Sequence, residues 1–113
     1  MDAADFDLHV SLPADPRFGE AMRDLAVHAA RYAGCAETDA ARYGAVVEAV
    51  VVACLERSTA GSDVPVVLRR GHGPVEFLIG CERGVDSPAS DDRITIRWTN
   101  ERGTSMCSIA LNL

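Results

Sequence analysis

The chain has 113 residues, 48% of them apolar and 25% charged, with a formal net charge of −6. A chain of that length forms one domain that buries roughly two-thirds of its unfolded surface, so stability requires no disulfide scaffold. The acidic balance, with Arg69-Arg70 the only adjacent basic pair, argues against a general binder of nucleic acid or of an acidic membrane.

Residues 6–12 alternate strictly, with Phe6, Leu8, Val10 and Leu12 on one face and Asp7, His9 and Ser11 on the other. This period of two predicts a half-buried strand, ended by Pro13, with His9 solvated. Asp15-Pro16 reads as the start of a helix over 16–33, with Asp15 as N-cap. Phe18, Met22, Leu25, Ala26 and Ala29 line its apolar face, His28 lies near the boundary, and Gly34 closes it. Thr38 is the expected cap of a second helix over 38–58, with Asp39 in its first turn. From Gly44 to Leu55 only Glu48 is neither small nor apolar, which predicts a helix buried nearly all round. The valine-rich run suits a buried strand too, but its length and interleaved alanines favour helix, and Gly61 supplies a stop.

Strands are expected at 64–68, 75–79, 93–99 and 106–113, each alternating or apolar between turn residues. His72 stands between two glycines at the tip of the first hairpin, and 82–92 is a polar loop. The order β-α-α-β-β-β-β describes an α+β fold: a two-layer sandwich of two helices on a mostly antiparallel five-stranded sheet. Four cysteines without a Cys-x-x-Cys pattern make zinc or another metal centre unexpected, and Cys54 and Cys107 read as core thiols. The N-terminus MDAADFDLHV lacks the basic and apolar regions of a signal peptide, and no apolar run reaches the ~20 residues of a membrane span. The expectation is a cytoplasmic domain with reduced thiols and no membrane or nucleic-acid partner. No Gly-x-Ser-x-Gly elbow accompanies Ser105, Ser108 or His72, and no phosphate loop follows Gly71-His72-Gly73.

The strand followed by Leu12-Pro13-Ala14, the long helix, and the run Ala45-Val46-Val47-Glu48-Ala49-Val50-Val51-Val52-Ala53 together resemble a GHKL, histidine-kinase-like ATPase domain. The anti-sigma-factor serine kinase branch is the one resembled, and the likeness spans 1–113 as a single domain. Gly103-Thr104 matches the closing Gly-Thr of that family, where the threonine helps line the nucleotide pocket. Glu48 stands where relatives keep a carboxylate that orients an attacking group.

The departures fall on the nucleotide itself. The magnesium-holding asparagine of the family corresponds to Val52, which offers no oxygen ligand. The Asp-x-Gly-x-Gly loop falls at Cys81-Glu82-Arg83-Gly84-Val85, so Cys81 replaces the adenine-recognising aspartate and one glycine, Gly84, remains. Only 86–92 stands where a nucleotide lid would be. The resemblance therefore implies a vestigial pocket (Glu48, Val52, Cys81, Gly84 and Thr104) with no cofactor and no metal. Glu48 is then a vestigial catalytic candidate that pairs with an arginine or water.

The implied function is non-catalytic protein binding in bacterial signalling or transcription regulation, akin to an anti-sigma factor that has lost ATP binding. Its partner would be a sigma factor, an anti-anti-sigma-like protein or another signalling protein, and relatives pair as dimers. The alternatives are an ATP-dependent protein serine kinase with an atypical nucleotide site, and a small-molecule sensor that reuses the cleft. The first and last strands carry few charges and are expected to be the sheet edges open to association.

Overall fold

The computed structural model describes residues 5–71, 73–82, 84–101 and 103–113. Its elements run β1 (Phe6–Pro13), α1 (Phe18–Tyr32), α2 (Glu37–Arg57), β2 (Asp63–Arg70), β3 (Val75–Cys81), β4 (Ile94–Glu101) and β5 (Thr104–Leu111). This is the expected α+β order. The five strands form one antiparallel sheet in the order β1-β2-β3-β5-β4. The expectation for His72 lies outside the described residues.

Alternation along each strand sorts its side chains between the two faces of the sheet. Val64, Val66 and Leu68, then Val75, Phe77, Ile79 and Cys81, then Cys107, Ile109 and Leu111 are all buried. These positions pair across the ladder, as in Leu68 with Phe77 and Phe77 with Ile109, so they form one apolar face. Val47, Val50, Val51, Cys54 and Leu55 of α2 complete the core against it.

Four details differ from the sequence reading. Helix α2 begins at Glu37 with Ala36 as its N-cap, so Thr38 is a first-turn residue and makes no cap. Asp39 does lie in that acidic first turn. Nor is α2 buried all round, because Ala41, Ala45 and Ala49 are exposed. Alanine is counted apolar, yet it tolerates water and favours helix, so its presence does not require burial. Regular α1 starts at Phe18, and Asp15 serves the turn before it, its carboxylate accepting the Arg17 N–H at 3.0 Å. Finally, β5 is an interior strand between β3 and β4, so the second edge is β4 and not the segment 106–113.

The two helices meet through a Schellman turn. The N–H of Cys35 donates to the carbonyl of Ala30 and that of Gly34 to Arg31, with Gly34 at φ +90°. Two glycines then let the helices approach closely. A Cβ on Gly44 would lie 2.4 Å from Val27 Cγ2 and 3.2 Å from the Arg23 carbonyl oxygen; one on Gly19 would lie 2.4 Å from Val52 Cγ2.

Gly44→Ala should therefore destabilise the fold by about 1–3 kcal/mol, as overpacking does. Gly71→Ala, whose new methyl would meet nothing within 4 Å, should shift stability by under about 0.5 kcal/mol. Urea midpoints of the two variants make the comparison, and equal midpoints would show that the helices do not pack through Gly44.

Candidate functional site

The residues of the implied nucleotide pocket are held by three separate arrangements. Glu48 and Val52 sit one turn apart on α2, on the side that meets α1. Val52 packs on Gly19. Glu48 finds its arginine in Arg23, with Nη1 to Oε1 at 3.4 Å and both side chains about one-third exposed. Arg23 also lies 3.5 Å from Glu20 and from Asp24, so its charge is shared among three carboxylates. Such a half-solvated cluster positions side chains and adds little stability.

Cys81 belongs to the second arrangement, and here the expectation of a reduced core thiol is overturned for Cys54, while Cys107 is a free, buried thiol. Cys54 and Cys81 are joined by a disulfide across a sequence separation of 27, with Cα atoms 5.5 Å apart. The bond forms where α2 lies over the end of β3, and both residues are 1% exposed. A second tether sits beside it: the Glu82 carboxylate accepts the Thr59 N–H at 3.1 Å and the Thr59 hydroxyl at 2.8 Å. The chain leaving β3 is thus tied to the chain leaving α2. A sulfur engaged in this bond has no capacity to recognise an adenine amino group.

The third arrangement is the segment 84–93, which includes the 86–92 stretch where the resemblance implies a lid and runs as a strap along β4. The Ser90 hydroxyl accepts the Ile96 N–H at 2.9 Å and lies 3.3 Å from the Ile96 carbonyl. The Asp91 carboxylate accepts the N–H groups of Arg93 and Ile94 at 2.9 and 3.0 Å, and Trp98 donates its indole N–H to Ser87 at 3.2 Å. Asp91 also pairs with Arg42 of α2. Gly84 opens this strap and is exposed, as is Thr104 at the start of β5.

An apolar groove lies elsewhere. It has a volume of about 450 Å³ and runs between α1 and β1, lined mainly by Phe6, Leu8, Leu25, Ala29, Tyr32 and Leu68. His28 lies on its rim, and Leu8 and Tyr32 are 43% and 60% exposed. Phe6 and Tyr32 meet edge to face with centroids 6.1 Å apart. Each strand and helix of this groove was readable as amphipathic, but the gap between them depends on where α1 settles, which periodicity does not encode.

Two buried acids also escaped the sequence reading as titrating groups. The hydroxyl of Tyr43, fully buried, donates to the Ile109 carbonyl at 2.7 Å. Burial pushes it well above the ordinary tyrosine range. Burial likewise pushes the Cys107 thiol up to about 12.

Among the described residues no cluster of three or more His, Cys, Asp or Glu is placed to hold a metal. No helix among them is long and apolar enough to cross a membrane. No protein-family model matches the chain, and no curated protein matches it.

The disulfide and the buried acids each lead to a measurement. The Cys54–Cys81 bond should add roughly 3–4 kcal/mol by constraining the unfolded chain. A non-reducing peptide map should show the two cysteines linked, and reductant should lower the urea midpoint while leaving a Cys54→Ser variant unmoved. For Cys107 and Tyr43 the folded chain holds its proton more tightly than the unfolded chain does. Their contribution is thus fully present below the unfolded values and is lost as pH rises. Stability should fall from about pH 9 upward, and Cys107→Ala should flatten that fall over the window between about 9 and 12.

Proposed function

We propose that the chain is a non-catalytic, GHKL-like domain that works by binding another protein, in bacterial signalling or transcription control. The observation that carries this reading is the disulfide: Cys81, at the position of the adenine-recognising aspartate, is bonded to Cys54. Two further features support it. Val52, at the position of the magnesium ligand, is packed against Gly19, and the strap at 84–93 is bonded to β4 and α2. A nucleotide site needs hard oxygen ligands for magnesium and a polar anchor for the base. The five positions of the implied pocket supply neither together.

A domain that has given up its nucleotide keeps only its surfaces, and the partner of this one is a sigma factor or another regulatory protein. The cytoplasmic placement belongs to the same proposal. Most thiols there are kept reduced, so in that compartment the Cys54–Cys81 bond persists only because both sulfurs are shielded from exchange.

Titration calorimetry with Mg-ATP should give no saturable heat, and Val52→Asn should not create any, since it returns one contact of three. Micromolar binding of Mg-ATP by the unaltered chain would overturn the reading in favour of an ATP-dependent protein serine kinase with an atypical site.

A further inference from the structure

The face of the sheet turned away from the helices carries a small trough. Glu76 of β3, Ser108 and Ala110 of β5, and Thr95 and Arg97 of β4 alternate with core residues, so they stand on that outer face. The ladder sets them in two rows. Glu76, Ala110 and Thr95 lie side by side in one, and Ser108 lies beside Arg97 in the next. Asn112 extends β5 on the same face, its N–H donating to the Arg93 carbonyl at 2.7 Å. Serine and alanine are short, and the flanking strands carry longer side chains. β5 is therefore the floor of a trough of about 250 Å³ between β3 and β4. Drug-sized ligands occupy roughly 300–1,000 Å³, so this trough suits a smaller molecule.

Its polar groups are sorted by type. Arg97 and the Ser108 hydroxyl bond no side chain or carbonyl among the described residues, and both line the trough. Together they offer a guanidinium fork and an O–H, the donor set that holds a carboxylate. Acceptors lie on the other side. Glu76 Oε2 is 3.6 Å from Arg69 Nη2, and Glu76 Oε1 has no partner among the described residues. Asn112 Nδ2 donates to Thr95 Oγ1 at 3.3 Å and lies 3.4 Å from the Asp92 carbonyl, which leaves Asn112 Oδ1 to accept. Glu76 and Arg97 border one trough without pairing with each other.

We infer that this trough binds the head group of a free α-amino acid, its carboxylate on Arg97 and Ser108 and its ammonium on Glu76 and Asn112. A simple anion would meet Arg97 but face the Glu76 carboxylate, and a simple cation would meet Glu76 but face Arg97. A ligand carrying both charges satisfies both ends. The two rows are about 7 Å apart, so groups that reach both are separated by a short spacer such as a single carbon. Ala110 lies beneath that carbon, and the ligand's own side chain leaves toward solvent. The smallest chiral amino acid, alanine, is therefore a sufficient probe.

The site stands apart from the nucleotide question and from the protein-binding reading, which its failure would leave untouched. Titration of the whole chain with L-alanine, followed by amide NMR shifts, should saturate with a Kd of about 1 mM, as suits so small a ligand. The shifts should centre on Thr95, Arg97, Ser108 and Ala110. Acetate and methylammonium each carry one of the two charges and should bind at least about tenfold more weakly. Arg97→Met and Glu76→Gln should each weaken alanine by at least about tenfold. Ala110→Leu fills the floor without changing any charge and should abolish binding, whereas Thr99→Ala, on the same face beyond the trough, should not alter it. All of these side chains lie off the core, so circular dichroism should be unchanged throughout. Absence of saturation, shifts centred elsewhere, acetate binding as tightly as alanine, or normal binding by Ala110→Leu would each overturn the proposal.

Discussion

The hydroxyl of Tyr43 is the polar constraint around which the rest of the fold is arranged. It is buried in an apolar layer, and it has one strong partner, the Ile109 carbonyl at 2.7 Å, with the Val75 carbonyl at 3.4 Å. A buried hydroxyl without a partner costs about 1–3 kcal/mol, so α2 has a single favourable placement over the middle of the sheet, where β3 and β5 run side by side. From that placement the positions facing the sheet follow by helical geometry: Val47, Val50, Val51, Cys54 and Leu55. The adjoining flank then receives α1 through Gly19 and Gly44.

The same placement decides what becomes of the implied nucleotide pocket. Residues two apart on a helix leave it in nearly opposite directions. Val52 therefore reaches α1 while Cys54 reaches the sheet, where Cys81 waits at the end of β3. An oxygen-bearing side chain at position 52 would have to displace the contact with Gly19, and a base anchor at position 81 would have to break a covalent bond. Glu48 keeps the flank of Val52 and shares Arg23 with Glu20 and Asp24. The implied pocket positions on α2 and β3 thus hold a surface salt cluster and a staple.

The fold was legible because it rests on two periods, and each element shows one of them cleanly. Phe6 to Leu12 alternates by two, and Met22, Ala26 and Ala30 recur by four, so element type and the buried face could be read directly. Neighbour relations were not legible. Alternation at 106–113 identifies a strand and says nothing about which strands flank it, so β5 was expected at an edge that belongs to β4. The disulfide was hidden for a related reason: a separation of 27 carries no geometry until α2 and β3 are superposed. The start of α2 was missed because Thr38, a residue that favours the N-cap, stands two positions after Ala36, which takes that role.

The segment between β3 and β4 covers the edge of the sheet at β4. Segment 84–93 reaches β4 without forming a helix. Three of its polar side chains are engaged: Ser87 with Trp98, Ser90 with Ile96, and Asp91 with the β4 backbone and Arg42. A strap that bonds an edge strand satisfies backbone groups that would otherwise recruit another chain. It can rise over a ligand only by giving those bonds up. The two edge strands, β1 and β4, thus differ in their surroundings: β4 is bonded by the strap, and β1 borders an apolar groove.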